Sequence, residues 1–137
     1  MLYPRSAAAL RKAYEGSYGI ARARVGTAFG KFLAKILPNA ENQFAILNGE
    51  RIGACVSGCT VVDSLWQDIV FEFKTSGGAL KRRQAQQLAL YAAKQTTQTL
   101  TYIFLRKPSV AEVARLATWV QEAAPEVRLA IGYLYEF

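Results

Sequence analysis

At 137 residues, of which 52% are hydrophobic, the chain has the size of one domain with a sizeable buried core, and we predict a single domain over residues 1–137. Its formal net charge of +7 favours a polyanionic partner, nucleic acid before an anionic membrane surface, although a basic surface can also serve solubility alone. The absence of histidine excludes Ser-His-Asp and Cys-His catalysis and mixed Cys/His zinc sites, so carboxylates and lysines must carry any chemistry.

We predict that residues 1–39 form a basic helical segment, since the first 35 hold seven Lys and Arg but a single Glu. A short helix can begin at a Ser6 cap and end before Gly16, and a second helix is predicted over 20–37. Two glycines would weaken this second helix in isolation, so either a close backbone contact compensates or the segment is less regular. Its predicted packing face consists of Val25, Phe29, Phe32, Leu33 and Ile36.

Residues 40–137 alternate between strand and helix patterns. Six strands are predicted, over 43–47, 51–56, 59–63, 69–74, 99–105 and 128–135, with an Asn48-Gly49 turn after the first and a loop near 65–68. One helix is predicted over 79–95, and a second is opened by Ser109, which has capping-box spacing to Glu112. This order, without a repeat or a linker, predicts an α/β domain with a central mixed sheet flanked by helices.

The compartment is indicated by what the chain lacks. No stretch contains the ~18 uncharged apolar residues of a membrane span, and no cleavable secretory pattern opens the chain. We therefore expect no membrane span and a soluble domain that acts in a cytoplasm. Cys55 and Cys59 are too few ligands for zinc, and a disulfide at this spacing needs a suitable backbone, so we expect buried thiols in a reducing compartment.

The candidate catalytic residues are Asp63, Glu72 and Lys74 on the third and fourth predicted strands. If the joining loop is symmetric, Asp63 faces Val70 and shares a sheet face with Glu72 and Lys74, because side chains alternate along a strand. Charged residues within apolar strands cost stability unless they are paired or bound to a metal. The alternative is that Glu72 and Lys74 form an ion pair on the exposed face of an edge strand.

Metal-assisted phosphodiester hydrolysis would explain these charges. Asp63 and Glu72 offer hard oxygen ligands for Mg²⁺ or Mn²⁺, which we expect in preference to Zn²⁺. Lys74 could hold the attacking water or neutralise charge that develops on the phosphate.

The spacing Asp63-(x)8-Glu72-x-Lys74 resembles the PD-(D/E)XK nuclease superfamily, whose members have the restriction-endonuclease-like fold. The run from Gln87 to Tyr91 is similar to the Gln-x3-Tyr motif of the RecB-like branch. The resemblance covers about residues 40–105 and implies a metal-dependent endonuclease in which the aspartate and the glutamate bind the metal.

One departure from the family pattern leaves the identity of the metal aspartate open. Val62 stands where the family name has proline, so either Asp63 or Asp68 could be that residue. We favour Asp63 because of the face on which it is predicted to lie. The family often adds an acidic residue from before the sheet, for which we favour Glu41.

The resemblance also implies substrate contacts from the helix after Lys74, although ordinary helix-surface residues are the alternative. The candidate substrate-binding residues are Gln84, Gln87, Tyr91, Lys81, Arg82 and Arg83.

Compact nuclease domains with a basic helical N-terminal region resemble the C-terminal toxin domains of bacterial polymorphic and contact-dependent growth inhibition systems. This resemblance implies delivery into the cytoplasm of a target cell as part of a larger protein, and a cognate immunity protein as partner. DNA is the favoured substrate, and tRNA or another RNA is the alternative. Two other functions remain open: a non-catalytic nucleic-acid-binding module, and a membrane-acting basic amphipathic helix over 20–37.

Overall fold

The structure, a computed structural model, describes Lys12 and residues 20–136. These residues form a six-stranded mixed sheet with helices on both faces. Helix α1 packs on one face of the sheet, and helices α2 and α3 share the core on the other face. The elements are α1 Ile20–Ile36, β1 Glu41–Leu47, β2 Glu50–Ile52, β3 Thr60–Trp66, β4 Ile69–Lys74, α2 Arg82–Ala93, β5 Thr99–Arg106, α3 Val110–Ala123 and β6 Arg128–Tyr135. The predicted mixed sheet flanked by helices is confirmed. Of the helix predicted from Ser6, Lys12 is helical and the other residues lie outside the described part of the chain.

The sheet runs in the order β2-β1-β3-β4-β5-β6. The first four of these strands are joined by antiparallel pairings, and β4, β5 and β6 run parallel to one another. Each parallel connection passes through a helix, α2 between β4 and β5 and α3 between β5 and β6, as parallel strands require. Strand β4 therefore lies inside the sheet, with a neighbour on each side.

Helix α1 buries most of its predicted face. Val25, Phe29 and Leu33 are buried and Phe32 partly so, in a cluster that includes Leu105 of β5. Ile36 was wrongly included, since it is 58% exposed in the last turn, where the helix no longer lies over the sheet core.

The two glycines of α1 face strand β4. A Cβ on Gly26 would lie 3.6 Å from Thr75 Cγ2, and a Cβ on Gly30 would lie 3.9 Å from Phe73 Cδ2. The helix is regular across both positions. A methyl group at either position would lie at an ordinary contact distance from a side chain, so neither expected alternative, a close backbone contact or an irregular segment, is observed.

The larger core lies between the sheet and helices α2 and α3. Strand β5 supplies three fully buried residues to it, Leu100, Tyr102 and Phe104. Helix α3 begins with the predicted capping box, in which Glu112 N donates to Ser109 Oγ at 3.1 Å and Ser109 N donates to Glu112 Oε1 at 2.8 Å. This cap fixes where α3 starts beside the ends of β4 and β5.

Strand β2 is shorter than predicted. Asn48 and Gly49 form the expected turn with φ angles of 53° and 81°, but β2 ends at Ile52 and the chain enters a loop. Cys55 and Cys59 close this loop as a disulfide, and Cys55 is exposed. The expectation of buried thiols is therefore wrong, because the turn between the cysteines brings their Cα atoms within 5.5 Å, a separation that a disulfide spans.

The β3–β4 hairpin has a tighter turn than the sequence suggested. Trp66 pairs with Ile69, and the two residues between them, Gln67 and Asp68, have φ angles of 49° and 65°. Left-handed conformations at both central residues match the twist of the flanking strands, so β3 continues to Trp66. Val70 consequently pairs with Leu65, and the predicted pairing of Val70 with Asp63 is wrong.

None of the helices in the described part of the chain combines the length and the hydropathy needed to cross a membrane.

Candidate active site

Strands β3 and β4 bring Asp63, Glu72 and Lys74 together. Asp63 and Glu72 are each one residue beyond the last β3–β4 pair, Ser64–Phe71, and their side chains interact with each other. Asp63 Oδ2 accepts a hydrogen bond from the backbone N–H of Phe73 at 2.8 Å, and Lys74 Nζ lies 3.6 Å from Glu72 Oε1. The corrected register thus places the two carboxylates closer than the predicted one would have done.

Glu72 is the most deeply buried member of this group. Glu72 is 3% exposed, and its Oε2 atom is buried without a hydrogen-bond partner. Burial raises the pKa of Glu72 well above its usual range, the charge of Asp63 adds to the rise, and the Lys74 ammonium opposes it. A carboxylate in this environment gains from any cation that can reach its free oxygen.

A backbone irregularity lies opposite Asp63. Strand β1 pairs Asn42 with Ser64 and Phe44 with Val62, but the intervening Gln43 has a φ of 53°. A left-handed residue within a strand interrupts the ladder and changes the local twist, and such features recur beside functional sites. This feature of Gln43 could not be read from the sequence, because glutamine has no preference for that conformation.

A cavity of about 420 Å³ opens beside the two carboxylates. It is lined from the sheet by Asp63 and Glu72 and from the start of α2 by Lys81, Arg83 and Gln84, with Cys59, Thr60 and Val61 completing the wall. Lys81 and Arg83 are exposed, so their cations can reach a polyanion at the mouth. Two of the three basic residues predicted to bind substrate therefore border the carboxylates.

The third basic residue points elsewhere. Arg82 is held by Glu122 of α3 at 2.9 Å, so it ties two helices together at the surface. The Arg83 guanidinium lies against Gly58, where a Cβ would overlap it and where φ is +84°. The backbone conformation at position 58 therefore favours glycine, whereas the exposed Arg83 side chain can shift to admit a methyl group.

The Gln-x3-Tyr residues are buried beneath the cavity. Gln87 Nε2 donates to the Gly58 carbonyl at 2.6 Å, and the Tyr91 ring packs on Phe44 with 5.5 Å between ring centroids. Neither residue lines the cavity that holds the carboxylates. In this geometry the pair supports the loop before β3 and the core, and a direct substrate contact by either residue remains a prediction.

The two other acidic candidates, Glu41 and Asp68, lie away from Asp63 and Glu72. The Glu41 carboxylate is bound by Arg51 at the exposed edge of the sheet. Asp68 lies in the β3–β4 turn, where its Oδ2 accepts from the backbone N–H of Thr96 at 2.6 Å. Of the two aspartates that the sequence left open, Asp63 is the one beside Glu72.

A second cavity, of about 470 Å³, lies between α1 and the sheet and also reaches Asp63. Exposed lysines Lys31 and Lys35 lie on its helix side, one turn apart. Asn42 and Phe73 line its sheet side. The aspartate therefore has basic side chains from two different helices in its surroundings, which no spacing in the sequence predicted.

Tyr102 is a further neighbour that sequence reasoning missed. It is fully buried and pairs with Glu72 across the parallel β4–β5 ladder. Burial raises the pKa of Tyr102 well above its usual range, and the charges of Glu72 and Asp63 add to that rise. Its hydroxyl stays protonated beside the carboxylates, because ionising it would place a third negative charge there.

The donor set suits a hard divalent cation. Within the described residues, no group of three or more His, Cys, Asp or Glu side chains converges, and Asp63 and Glu72 are the two carboxyl groups that line this cavity. Glu72 Oε2 has no partner and the Asp63 carboxylate has a second oxygen beyond the one that accepts from Phe73. Mg²⁺ and Mn²⁺ are commonly held by one or two carboxylates with other oxygens, and this arrangement fits them.

Comparison of the chain with family models, with curated proteins and with solved structures finds no match. The resemblance to the PD-(D/E)XK superfamily therefore rests on the motif residues and their arrangement.

Proposed function

We propose that this chain is a divalent-metal-dependent nuclease of the PD-(D/E)XK type, with a restriction-endonuclease-like fold, that hydrolyses phosphodiester bonds of nucleic acids. The observation that carries the proposal is the buried Glu72 carboxylate, which has an unpartnered oxygen, faces Asp63 and lies 3.6 Å from Lys74. Burying the Glu72 carboxylate beside the half-buried Asp63 costs free energy, and a bound cation would offset that cost.

An ordinary surface ion pair does not account for these residues. Strand β4 is internal, with β3 on one side and β5 on the other, and the Glu72 and Lys74 side chains are 4% and 12% exposed. Surface ion pairs contribute little and are replaced easily, whereas a buried pair next to a second carboxylate is a costly arrangement. The edge-strand alternative is therefore excluded by position.

The residues have distinct roles in this proposal. Asp63 and Glu72 would hold Mg²⁺ or Mn²⁺, which supplies a polarised phosphate and a bound water of lowered pKa. Lys74, the cation nearest to Glu72, would stabilise charge that develops on the phosphate oxygens. Lys81 and Arg83 at the cavity mouth would bind flanking phosphates and set the position of the backbone.

The substrate proposed first is DNA, with tRNA or another RNA as the alternative. Support for a nucleic acid of either kind comes from the exposed basic residues on α1 and α2 around Asp63. We further propose, from the resemblance to bacterial toxin nuclease domains, that the chain acts in the cytoplasm of a target cell and is neutralised there by an immunity protein. A basic helical region ahead of the sheet agrees with that kind of domain.

The test is cleavage of plasmid DNA and of total tRNA with Mg²⁺ or Mn²⁺, with EDTA as the metal control. Asp63→Asn, Glu72→Gln and Lys74→Met keep side-chain size and remove the charge, and Arg82→Gln is the matched surface control. We expect cleavage that requires metal, is lost in the three site variants and persists in the control. Cleavage of neither substrate, or activity that survives the three changes, overturns the proposal, and salt-sensitive binding without cleavage would indicate a binding module.

A further inference from the structure

The side-chain oxygen of Gln84 is buried beside the candidate active site without a hydrogen-bond donor. Gln84 lies in the first turn of α2 and lines the same cavity as Asp63 and Glu72. Its Oε1 atom is buried and has no hydrogen-bond partner, as is also true of Glu72 Oε2. A buried acceptor without a donor lowers stability, so two of them around one cavity indicate a shared missing partner.

The chemistry of these oxygens restricts what that partner can be. The Gln84 amide oxygen and the oxygens of an ionised Glu72 carboxylate only accept, so the acceptor oxygens of a phosphate diester cannot satisfy them. Lys81 and Arg83 line the same cavity but remain exposed, and neither is hydrogen-bonded to Gln84 or Glu72. A divalent cation with a preference for oxygen ligands can satisfy a carboxylate pair and an amide oxygen at once.

We propose that Gln84 Oε1 is a third oxygen ligand, beside Asp63 and Glu72, of the divalent cation in this site. The inference deepens the proposed function and rests on it. It assigns Gln84 to the cation, whereas the sequence had suggested a contact with substrate. The cation would then be bound by two carboxylates from the sheet, Asp63 and Glu72, and by one neutral amide oxygen from helix α2.

The packing of α2 supports a fixed position for this oxygen. Ala85, Leu88 and Ala89, which follow Gln84 on the helix, are fully buried against the sheet. The helix backbone therefore cannot shift without losing core contacts, and a ligand held by a packed helix is well positioned before the cation arrives.

Gln87 does not share this role, although its Oε1 atom is also buried and unpartnered. Its amide nitrogen is engaged with the Gly58 carbonyl, and the residue does not line the cavity. Gln86 points the other way, where its Nε2 reaches Trp119 O at 3.3 Å and Glu122 Oε2 at 3.2 Å on the α3 side. Gln86 is therefore a matched control on the same helix.

The experiment is isothermal titration calorimetry of the full chain with MnCl₂, in the absence of nucleic acid, for wild type, Gln84→Leu, Gln84→Glu and Gln86→Leu. We expect Gln84→Leu to weaken Mn²⁺ binding about tenfold or more, since loss of one supporting oxygen contact at metal sites has effects of that size. Gln84→Glu should bind at least as tightly as wild type, because it retains the oxygen and adds charge. Gln86→Leu should leave the affinity unchanged.

Each other outcome has a separate meaning. No Mn²⁺ binding by folded wild type overturns the metal-dependent function itself. Wild-type binding that Gln84→Leu leaves unchanged overturns the role of Gln84 and leaves the proposed function in place. Equal weakening by Gln84→Glu and Gln84→Leu also overturns the ligand role, because it would mean that the amide acts as a donor. Circular dichroism of each variant confirms folding, and Gln84→Glu keeps the test valid if Gln84→Leu does not fold.

Discussion

Asp63 Oδ2 accepts the backbone N–H of Phe73 at 2.8 Å, at the point where strands β3 and β4 stop pairing with each other. The carboxylate thus occupies the place that a strand partner would take, and it also interacts with the Glu72 carboxyl group. One side chain both completes the hydrogen bonding of β4 and faces the candidate site.

Because Asp63 has both roles, we expect Asp63→Asn and Asp63→Ala to differ in their effect on stability. Asp63→Asn keeps an oxygen that can accept from Phe73, so we expect cleavage to be lost with little change in stability. Asp63→Ala leaves that N–H without its partner and should lower the free energy of unfolding by about 1–3 kcal/mol. Urea unfolding of both variants in EDTA checks this, and equal destabilisation by the two would contradict it.

The environment of Glu72 predicts a pH dependence of stability. The pKa of Glu72 in the folded chain is raised, chiefly by burial, above the 4.5 of an unperturbed glutamate. Its contribution to stability is therefore fully present below the unfolded pKa and is lost as pH rises through the folded pKa. We expect the free energy of unfolding of wild type, relative to Glu72→Gln, to decline from about pH 4.5 upwards in EDTA.

Urea denaturation of the two proteins over that pH range is the measurement. Mg²⁺ should reduce the decline in wild type, because a cation stabilises the ionised carboxylate. A difference between the two proteins that does not change with pH would show that Glu72 titrates normally.

Two glycines, Gly26 in α1 and Gly58 in the loop before β3, lead to predictions of opposite sign. Gly26→Ala should stabilise the chain by about 0.5–1 kcal/mol, since the new Cβ meets Thr75 at an ordinary contact distance and helix propensity improves. Gly58→Ala should destabilise the chain by about 1–2 kcal/mol, because φ there is +84°, a left-handed conformation that alanine disfavours. Thermal unfolding compares the two, and a loss of stability in Gly26→Ala would mean that α1 cannot accommodate a methyl group.

The basic residues of α1 lead to a prediction about substrate affinity. Lys35 lines the cavity that reaches Asp63, whereas Lys94 is paired with Glu50 on the surface near the β1–β2 turn. In a Glu72→Gln background, Lys35→Gln should weaken binding to a DNA or RNA oligonucleotide and reduce the salt slope by about one unit. Lys94→Gln should leave both unchanged. Fluorescence anisotropy at several salt concentrations measures the affinity. Identical salt slopes for the two variants would show that Lys35 does not contact the phosphates of the nucleic acid.

Local patterns in the sequence predicted the elements that depend on neighbouring residues. The Ser109–Glu112 capping box, the Asn48-Gly49 turn and the range of β6 are confirmed, since each is determined within a few residues. The shared face of Glu72 and Lys74 follows from alternation alone. The same reasoning misplaced the β3–β4 turn by one residue, because Gln67-Asp68 carries no strong signal for a two-residue turn.

Contacts between distant residues were decided by the tertiary structure. Asp63 lies beside Glu72 while Asp68 accepts from Thr96, and Arg82 joins α3 while Arg83 borders the carboxylates. Periodicity shows which face of an element is apolar, but strand register and helix docking depend on packing between segments far apart in the chain. The sequence by itself therefore determined the residue types, their order and the face shared by Glu72 and Lys74, and only the packed sheet and helices decided that Asp63, Glu72 and the Gln84 oxygen surround one cavity.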